Sequence, residues 1–279
     1  MTTVRQALAD ASEALGAISE EARIDAEFLL THATGFCTTQ LLIKSEQALS
    51  ETDFQRFTEL VERRLTGEPI AYISTQKHFH EISLSVGPDV LIPRSDTELL
   101  VEQALALITV NTATAVLDLG TGSGAIALSI AAQRPLALIT AVDQSAGACK
   151  VARQNAAALK FENINVICGS WFEPIGDAKF SIIVSNPPYI APGDPHLERG
   201  DLRFEPQSAL VALDDGLACF KDITSSAKAY LLREGCLLFE HGFDQGIAVR
   251  EILLEHQFTN VQTHQDLSGN DRVTVGVNS

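Results

Sequence analysis

The chain has 279 residues, 46% hydrophobic and 20% charged, which is enough for one large or two modest folded domains and too apolar for a disordered chain. Lys and Arg number 20 against 36 Asp and Glu, a formal net charge of −16, and a surface of that sign repels phosphate backbones and anionic lipid, disfavouring direct DNA binding and membrane partners. Five scattered cysteines without a CxxC pair read as free thiols of a reducing, cytoplasmic compartment, and neither a signal peptide nor a membrane-spanning apolar run is expected.

Residues 1–69 show helical spacing: Val4, Leu8 and Leu15, then Ile24, Phe28 and Leu29, then Phe54, Phe57, Leu60, Val61 and Leu65. They predict a small helical bundle. Ser50-Glu51-Thr52-Asp53 resembles a capping box and Thr66-Gly67-Glu68-Pro69 a stop, so one helix is expected over Glu51–Leu65. Residues 70–93 change to period two, with Ile82, Leu84 and Val86 on one face and Gly87-Pro88-Asp89 as a turn, predicting a β-hairpin linker. His78 and His80 fall two apart in it, a spacing that suits a metal or, with no third ligand nearby, a hairpin surface.

From residue 94 to 279 the pattern is α/β. Residues 95–108 read as a helix capped by Ser95 or Asp96. Short β-branched runs at 116–119, 138–142, Ile164–Cys168, 182–185 and 236–240 alternate with helical segments such as Ala125–Gln133 and 145–159, the signature of a doubly wound, mostly parallel sheet. Residues 260–264 and 272–277 flank Ser268-Gly269-Asn270-Asp271 with no helix between them, an antiparallel pair at one edge.

Two loops carry candidate chemistry. The first strand runs into Asp118-Leu119-Gly120-Thr121-Gly122-Ser123-Gly124, where glycines permit a tight turn and let a ligand approach the main chain. Such a loop also serves as a bland strand-to-helix turn. Asp143, 23 residues after Gly120, ends the next strand, where a carboxylate can accept from ribose hydroxyls or cap the following helix. With no P-loop Lys after the glycines, the leading cofactor is S-adenosyl-L-methionine, leaving S-adenosyl-L-homocysteine, and NAD is the runner-up.

The second loop, Asn186-Pro187-Pro188-Tyr189, follows the fourth parallel strand. Consecutive prolines remove two donors and fix two φ angles, leaving a rigid set of acceptors, to which Asn186 adds a side-chain carbonyl and Tyr189 an aromatic face. Two acceptors gripping the hydrogens of a planar NH2 favour the pyramidal, positively charged nitrogen of a methyl transfer. No strong base is needed, because an N-methylated cationic amide is itself very acidic.

Together Asp118 to Gly124, Asp143 and Asn186 to Tyr189 resemble a class I methyltransferase acting on amino nitrogen. Ile92-Pro93-Arg94-Ser95-Asp96-Thr97-Glu98, Asp194-Pro195-His196-Leu197, Arg203-Phe204-Glu205-Pro206, Glu240-His241-Gly242 and Asp271-Arg272-Val273 narrow the resemblance to the HemK/PrmC protein-glutamine N5-methyltransferases. The resemblance implies methylation of the glutamine in the Gly-Gly-Gln loop of class-1 peptide chain release factors, with the N-terminal bundle holding that protein. It implies that Gly120, Thr121, Gly122, Ser123 and Gly124 line the methionine part of the cofactor, Asp143 its ribose and Trp171 its adenine. Asn186 would touch cofactor and target amide, with Pro187, Pro188 and Tyr189 completing the glutamine pocket. Two positions depart from the family pattern: Ser170, where Asp is frequent, and Ser95, where Pro is common. The alternatives are a ribosomal-protein glutamine and an adenine-N6 or cytosine-N4 nucleic-acid base, since NPPY is shared with DNA methyltransferases. Charge opposes the last of these, because the chain up to His80 carries −5 and the remainder −11, and neither holds a basic stripe.

Overall fold

A computed structural model describes residues 2–279, which separate into two compact units. The first holds the described residues up to Gln76 together with Glu198–Phe204. Its helices are α1 (Val4–Leu15), α2 (Ala22–Thr34), α3 (Thr38–Ile43), α4 (Glu51–Leu65) and α5 (Ile70–Ser74). Val4, Leu8, Leu15, Leu29, Leu30, Phe57, Leu60 and Val61 form their shared core. The start of α4 is built as its sequence implies: Ser50 Oγ accepts from the Asp53 N–H at 3.1 Å and donates to its carboxylate at 2.7 Å. Asp25 on α2 and Arg64 on α4 pair at 2.9 Å, both largely buried.

Three sequence expectations shift here. Ile24 and Phe28 face solvent because α2 turns Ala26, Leu29, Leu30 and Ala33 inward instead, and Phe54 and Leu65 do so because α4 turns Phe57, Leu60 and Val61 inward. Residues 70–74 are helical, since Pro69 leaves its carbonyl to the N–H groups of Tyr72 and Ile73 and Thr75, in the left-handed region, ends the turn. The hairpin therefore begins only at β1 (Gln76–Phe79), where the chain passes into the second unit, and reverses into β2 (Ile82–Ser85) at His80 and Glu81, not at Gly87-Pro88-Asp89. His80, at φ 52°, is thus a turn residue whose N–H donates to Glu98, and it shares no strand face with His78.

In the second unit α6 (Thr97–Leu107) starts two residues later than expected. Backbone turns from Arg94 and Ser95 initiate it without a side-chain cap. The strands β3 (Ala115–Leu119), β4 (Leu138–Asp143), β5 (Ile164–Cys168), β6 (Phe180–Ser185), β7 (Leu231–Glu240), β8 (Phe258–Gln265) and β9 (Asp271–Asn278) form one sheet in the order β5-β4-β3-β6-β7-β9-β8. The first five strands run parallel, while β9 is antiparallel to both β7 and the edge strand β8. Helices α7 (Ala125–Gln133) and α8 (Ala146–Leu159) pack with α6 in one apolar cluster, whereas α9 (Ala218–Ala227) and α10 (Gly246–Glu255) pack in the other. Asp214-Asp215-Gly216 reads in the sequence as a turn and helix start, and α9 follows it, its buried Phe220, Ile223, Thr224 and Ala227 at the i, i+3, i+4, i+7 spacing of a helix face, whereas the sequence reading names no helix at α10.

The chain order runs outward from β3 through β4 to β5, then returns to the other side of β3 with β6. That reversal splays the loops after β3 and β6 apart at the carboxyl ends of the strands, where open α/β sheets bind their ligands.

Candidate functional site

A cleft opens at that reversal, walled by Gly120, Gly122, Asp143, Trp171, Asn186 and Pro188. Six of the residues singled out from sequence thus converge. The glycine loop bends because Gly122 and Gly124 sit at φ 56° and 85°, in the left-handed region that costs other residues energy. A Cβ at Gly124 would also strike the Leu128 side chain. Beneath the loop, Asp118 is fully buried and accepts from the Thr121 hydroxyl at 2.6 Å, with the Ala127 N–H of the first turn of α7 also directed at it. Burial pushes its carboxyl up to about 7 against the pull of those donors.

Thr121, Ser123 and Gly124 stand behind the loop, off the cleft wall. Thr121 is spent on Asp118, the Ser123 carbonyl accepts from Asn155 at 2.9 Å, and Gly124 caps α7. Of the motif, only Gly120 and Gly122 reach the opening.

Asp143 is a wall of the cleft and a brace for the cap of α8, not the cap itself. One carboxylate oxygen accepts from the Gly122 N–H at 2.9 Å and the other from the Ser145 N–H at 2.8 Å, while Ser145 itself caps α8. Each oxygen retains a second lone pair, and the residue lines the cleft. Its pKa is raised, chiefly by burial and in opposition to those two bonds. Beyond it Gly169, Ser170 and Trp171 continue the wall, with Trp171 held at φ 42° and its ring packed on the second apolar cluster.

On the opposite side β6 is pinned to β3 by Ser185, whose hydroxyl donates to the Leu119 carbonyl at 2.7 Å, so Asn186 emerges beside the glycine loop. The Asn186 Nδ2 donates to Thr97 Oγ1 at 3.2 Å. Pro187 is buried behind the cleft and Pro188 lines it. Tyr189 packs on the second apolar cluster and is not part of the cleft wall. The Gln245 side chain donates to its carbonyl at 3.0 Å, and burial raises its phenol above the ordinary range.

The remaining wall comes from segments noted only for resemblance or not at all. Ile190 pairs with residues 210–212, which brings Pro206, Ser208 and Ala209 to the cleft, and Glu205 anchors that segment by accepting from Arg94 at 2.6 Å. Asp89, Val90 and Leu91 complete the opening. Behind Asn186 lies Glu240, the buried last residue of β7. A charged residue ending an otherwise apolar strand run was the available signal for it. The five cysteines are free thiols, and no helix among the described residues is long and apolar enough to cross a membrane.

Comparison with known proteins matches both units of sequence pattern. A family model described as the PrmC N-terminal domain matches residues 6–74, and one described as a methyltransferase small domain matches residues 95–199. Among curated relatives, the release factor glutamine methyltransferase of Aliivibrio fischeri is 48% identical over 92% of this chain and 91% of its own length. That of Vibrio cholerae is 46% identical over 98% and 96%, and that of Escherichia coli 45% over 92% and 93%. Solved structures similar in fold include a methyltransferase from Pyrococcus furiosus (TM-score 0.55, 15% identity, 79% of this chain and 98% of that one). Another is the T. thermophilus 16S rRNA N2 G1207 methyltransferase in complex with AdoMet and guanosine (TM-score 0.54, 20% identity, 73% and 50%). At these identities the two structures speak for the class I methyltransferase fold alone. With near full-length identity of 45–48% to several relatives of one kind, the chain belongs to the release factor glutamine methyltransferase family.

Proposed function

We propose that this protein transfers a methyl group from S-adenosyl-L-methionine to the side-chain N5 of the glutamine in the Gly-Gly-Gln loop of cytoplasmic class-1 peptide chain release factors. The observation that carries this reading is the near full-length match to release factor glutamine methyltransferases in a chain whose Asn186 lines a cleft opposite Asp143. The cleft suits such a cofactor. Asp143 offers unspent lone pairs to a ribose, Trp171 offers a flat apolar surface to a purine, and Gly120 and Gly122 let a ligand rest against the main chain. When bound, the cofactor supplies an electrophilic methyl group on a sulfonium.

The chain's own residues provide orientation and charge. Asn186, its NH2 turned to Thr97, presents its carbonyl oxygen to the target amide, and that oxygen accepts a hydrogen of the target NH2 and favours the positive charge developing there. Pro187 and Pro188 stiffen the loop so that this geometry is in place before the substrate arrives. Tyr189, held by Gln245, supports the loop from the apolar side. We assign the helical unit to recognition of the protein substrate, supported by the exposed apolar side chains Ile24, Phe28, Leu42 and Ile43 on α2 and α3.

The test is tandem mass spectrometry of a release factor incubated with the enzyme and methyl-labelled cofactor. One label on the glutamine of the Gly-Gly-Gln loop is expected. Label on another residue, or none, would overturn the assignment.

A further inference from the structure

Two side chains from distant parts of the chain meet behind the Asn186 carboxamide. Thr97 opens α6, Asn186 follows β6 and Glu240 closes β7, and Thr97 and Glu240 are 4% and 2% exposed. Asn186 Nδ2 donates to Thr97 Oγ1 at 3.2 Å, and the pairing of Ser185 with Phe239 sets Glu240 beside Asn186, with its carboxyl under the electrostatic influence of the Thr97 hydroxyl and the Asn186 side chain. A carboxamide has one NH2 end and one carbonyl oxygen. With its NH2 end engaged by Thr97 and facing the side where Glu240 lies, the oxygen is the end left for the cleft that Asn186 lines. Glu240 is an expensive choice for this job. It follows the fully buried Leu237, Leu238 and Phe239, and its Oε2 has no hydrogen-bond partner among the described residues.

We propose that Glu240 is a positioning residue for the methyl transfer: its buried carboxylate, acting with Thr97, holds the Asn186 carboxamide with its oxygen toward the target glutamine. The proposal rests on the reading that Asn186 contacts the target amide. Ionised Glu240 accepts from both donors and polarises the carboxamide, so that its oxygen better matches a growing positive charge. Protonated Glu240 can still accept through one oxygen but loses the charge that strengthens the hold and polarises the carboxamide.

Burial pushes the Glu240 carboxyl up to about 7, against the donors Thr97 and Asn186 and the nearby Arg272, with Asp96 acting in the same sense as burial. Other ionisable groups stand around it. The Tyr189 phenol is raised by burial and by Glu240 itself, and Arg94 lies on the Tyr189 side. His241 is lowered by burial, with its ring bonded to the Gly242 carbonyl and the Thr274 hydroxyl.

The experiment is single-turnover methyl transfer to a release factor by the full chain at saturating cofactor, followed across pH, beside titrations with S-adenosylhomocysteine. In the wild type the rate should fall about tenfold per pH unit below about 7 and level off above it. Glu240→Gln should flatten that profile and lower the plateau by about 10- to 100-fold, the worth of a hydrogen bond to a charged group, with cofactor affinity unchanged. Its melting temperature at alkaline pH should not drop, because a costly buried charge is gone. Thr97→Val should lower the plateau about 3- to 10-fold. It serves as the deciding variant if Glu240→Gln does not fold. Wild-type rate and pH profile in Glu240→Gln, or in Thr97→Val where that decides, would overturn the proposal, as would a loss confined to cofactor binding. Asn186→Ala separates the two layers. If it is inactive while Glu240→Gln is normal, only the Glu240 role fails, whereas full activity in Asn186→Ala removes the Asn186 reading and this proposal with it.

Discussion

The two sides of the cleft solve different problems with different parts. On the β3–β4 side the polar surface is mostly main chain, held in shape from below by carboxylates: Asp118 through Thr121, and Asp143 through the N–H groups of Gly122 and Ser145. On the β6–β7 side it is one side chain, Asn186, backed by Thr97 and by Glu240. Both sides bury a carboxyl pushed up to about 7, yet Asp118 shapes a loop while Glu240 touches the residue assigned to the target amide. The contrast teaches that capture of a large cofactor is spread over many shallow contacts. Activation of a poor nucleophile is concentrated in one oriented dipole.

Four substitutions would sharpen or break that division. The largest effect is expected from Asn186→Ala, which removes an acceptor needed at the transition state and should slow single-turnover transfer by about 100- to 1000-fold. Next comes Asp143→Ala, which should weaken S-adenosylhomocysteine binding by about 10- to 100-fold in calorimetric titration, through loss of its bonds to the glycine loop as well as to the ligand. Asp118→Asn probes the loop support. Native Asp118 binds its proton more tightly than the unfolded chain does, so wild-type stability should decline as pH rises from about 4 to about 7 and stay level above. In denaturant titrations the variant should escape that decline, gaining about 1–4 kcal/mol on the wild type over the window. Ser170→Asp should have the smallest effect, tightening S-adenosylhomocysteine by about 3- to 10-fold, since Ser170 lines the cleft beside Trp171, where a carboxylate would accept from an adenine amino group.

A fifth change addresses the helical unit. Ile43, 78% exposed, replaced by Asp should raise KM for a whole release factor about tenfold while leaving a short Gly-Gly-Gln peptide unaffected. An equal change for both substrates would remove the helical unit from recognition.

How far these features were legible in sequence follows from where their information lies. The glycine loop and Asn186-Pro187-Pro188-Tyr189 are contiguous, so their chemistry can be read from order alone. Their sidedness cannot. Thr121, between two glycines that line the cleft, and Ser123 are both buried, Thr121 because its hydroxyl is spent on Asp118. The alliance of Thr97, Asn186 and Glu240 spans more than half of the chain and exists only because β6 and β7 pair in register and α6 packs against them. The hairpin reversal was misplaced for the opposite reason. Gly87-Pro88-Asp89 has strong turn chemistry and does turn, whereas the reversal falls at His80-Glu81, where a left-handed His supplies the bend without glycine or proline.

The most direct test of the division of labour is one pair of measurements on Asn186→Ala, S-adenosylhomocysteine affinity by calorimetry and single-turnover methyl transfer to a release factor. The expected result is near wild-type affinity with transfer reduced by about 100-fold or more. Parallel losses in affinity and rate, or wild-type transfer, would contradict it.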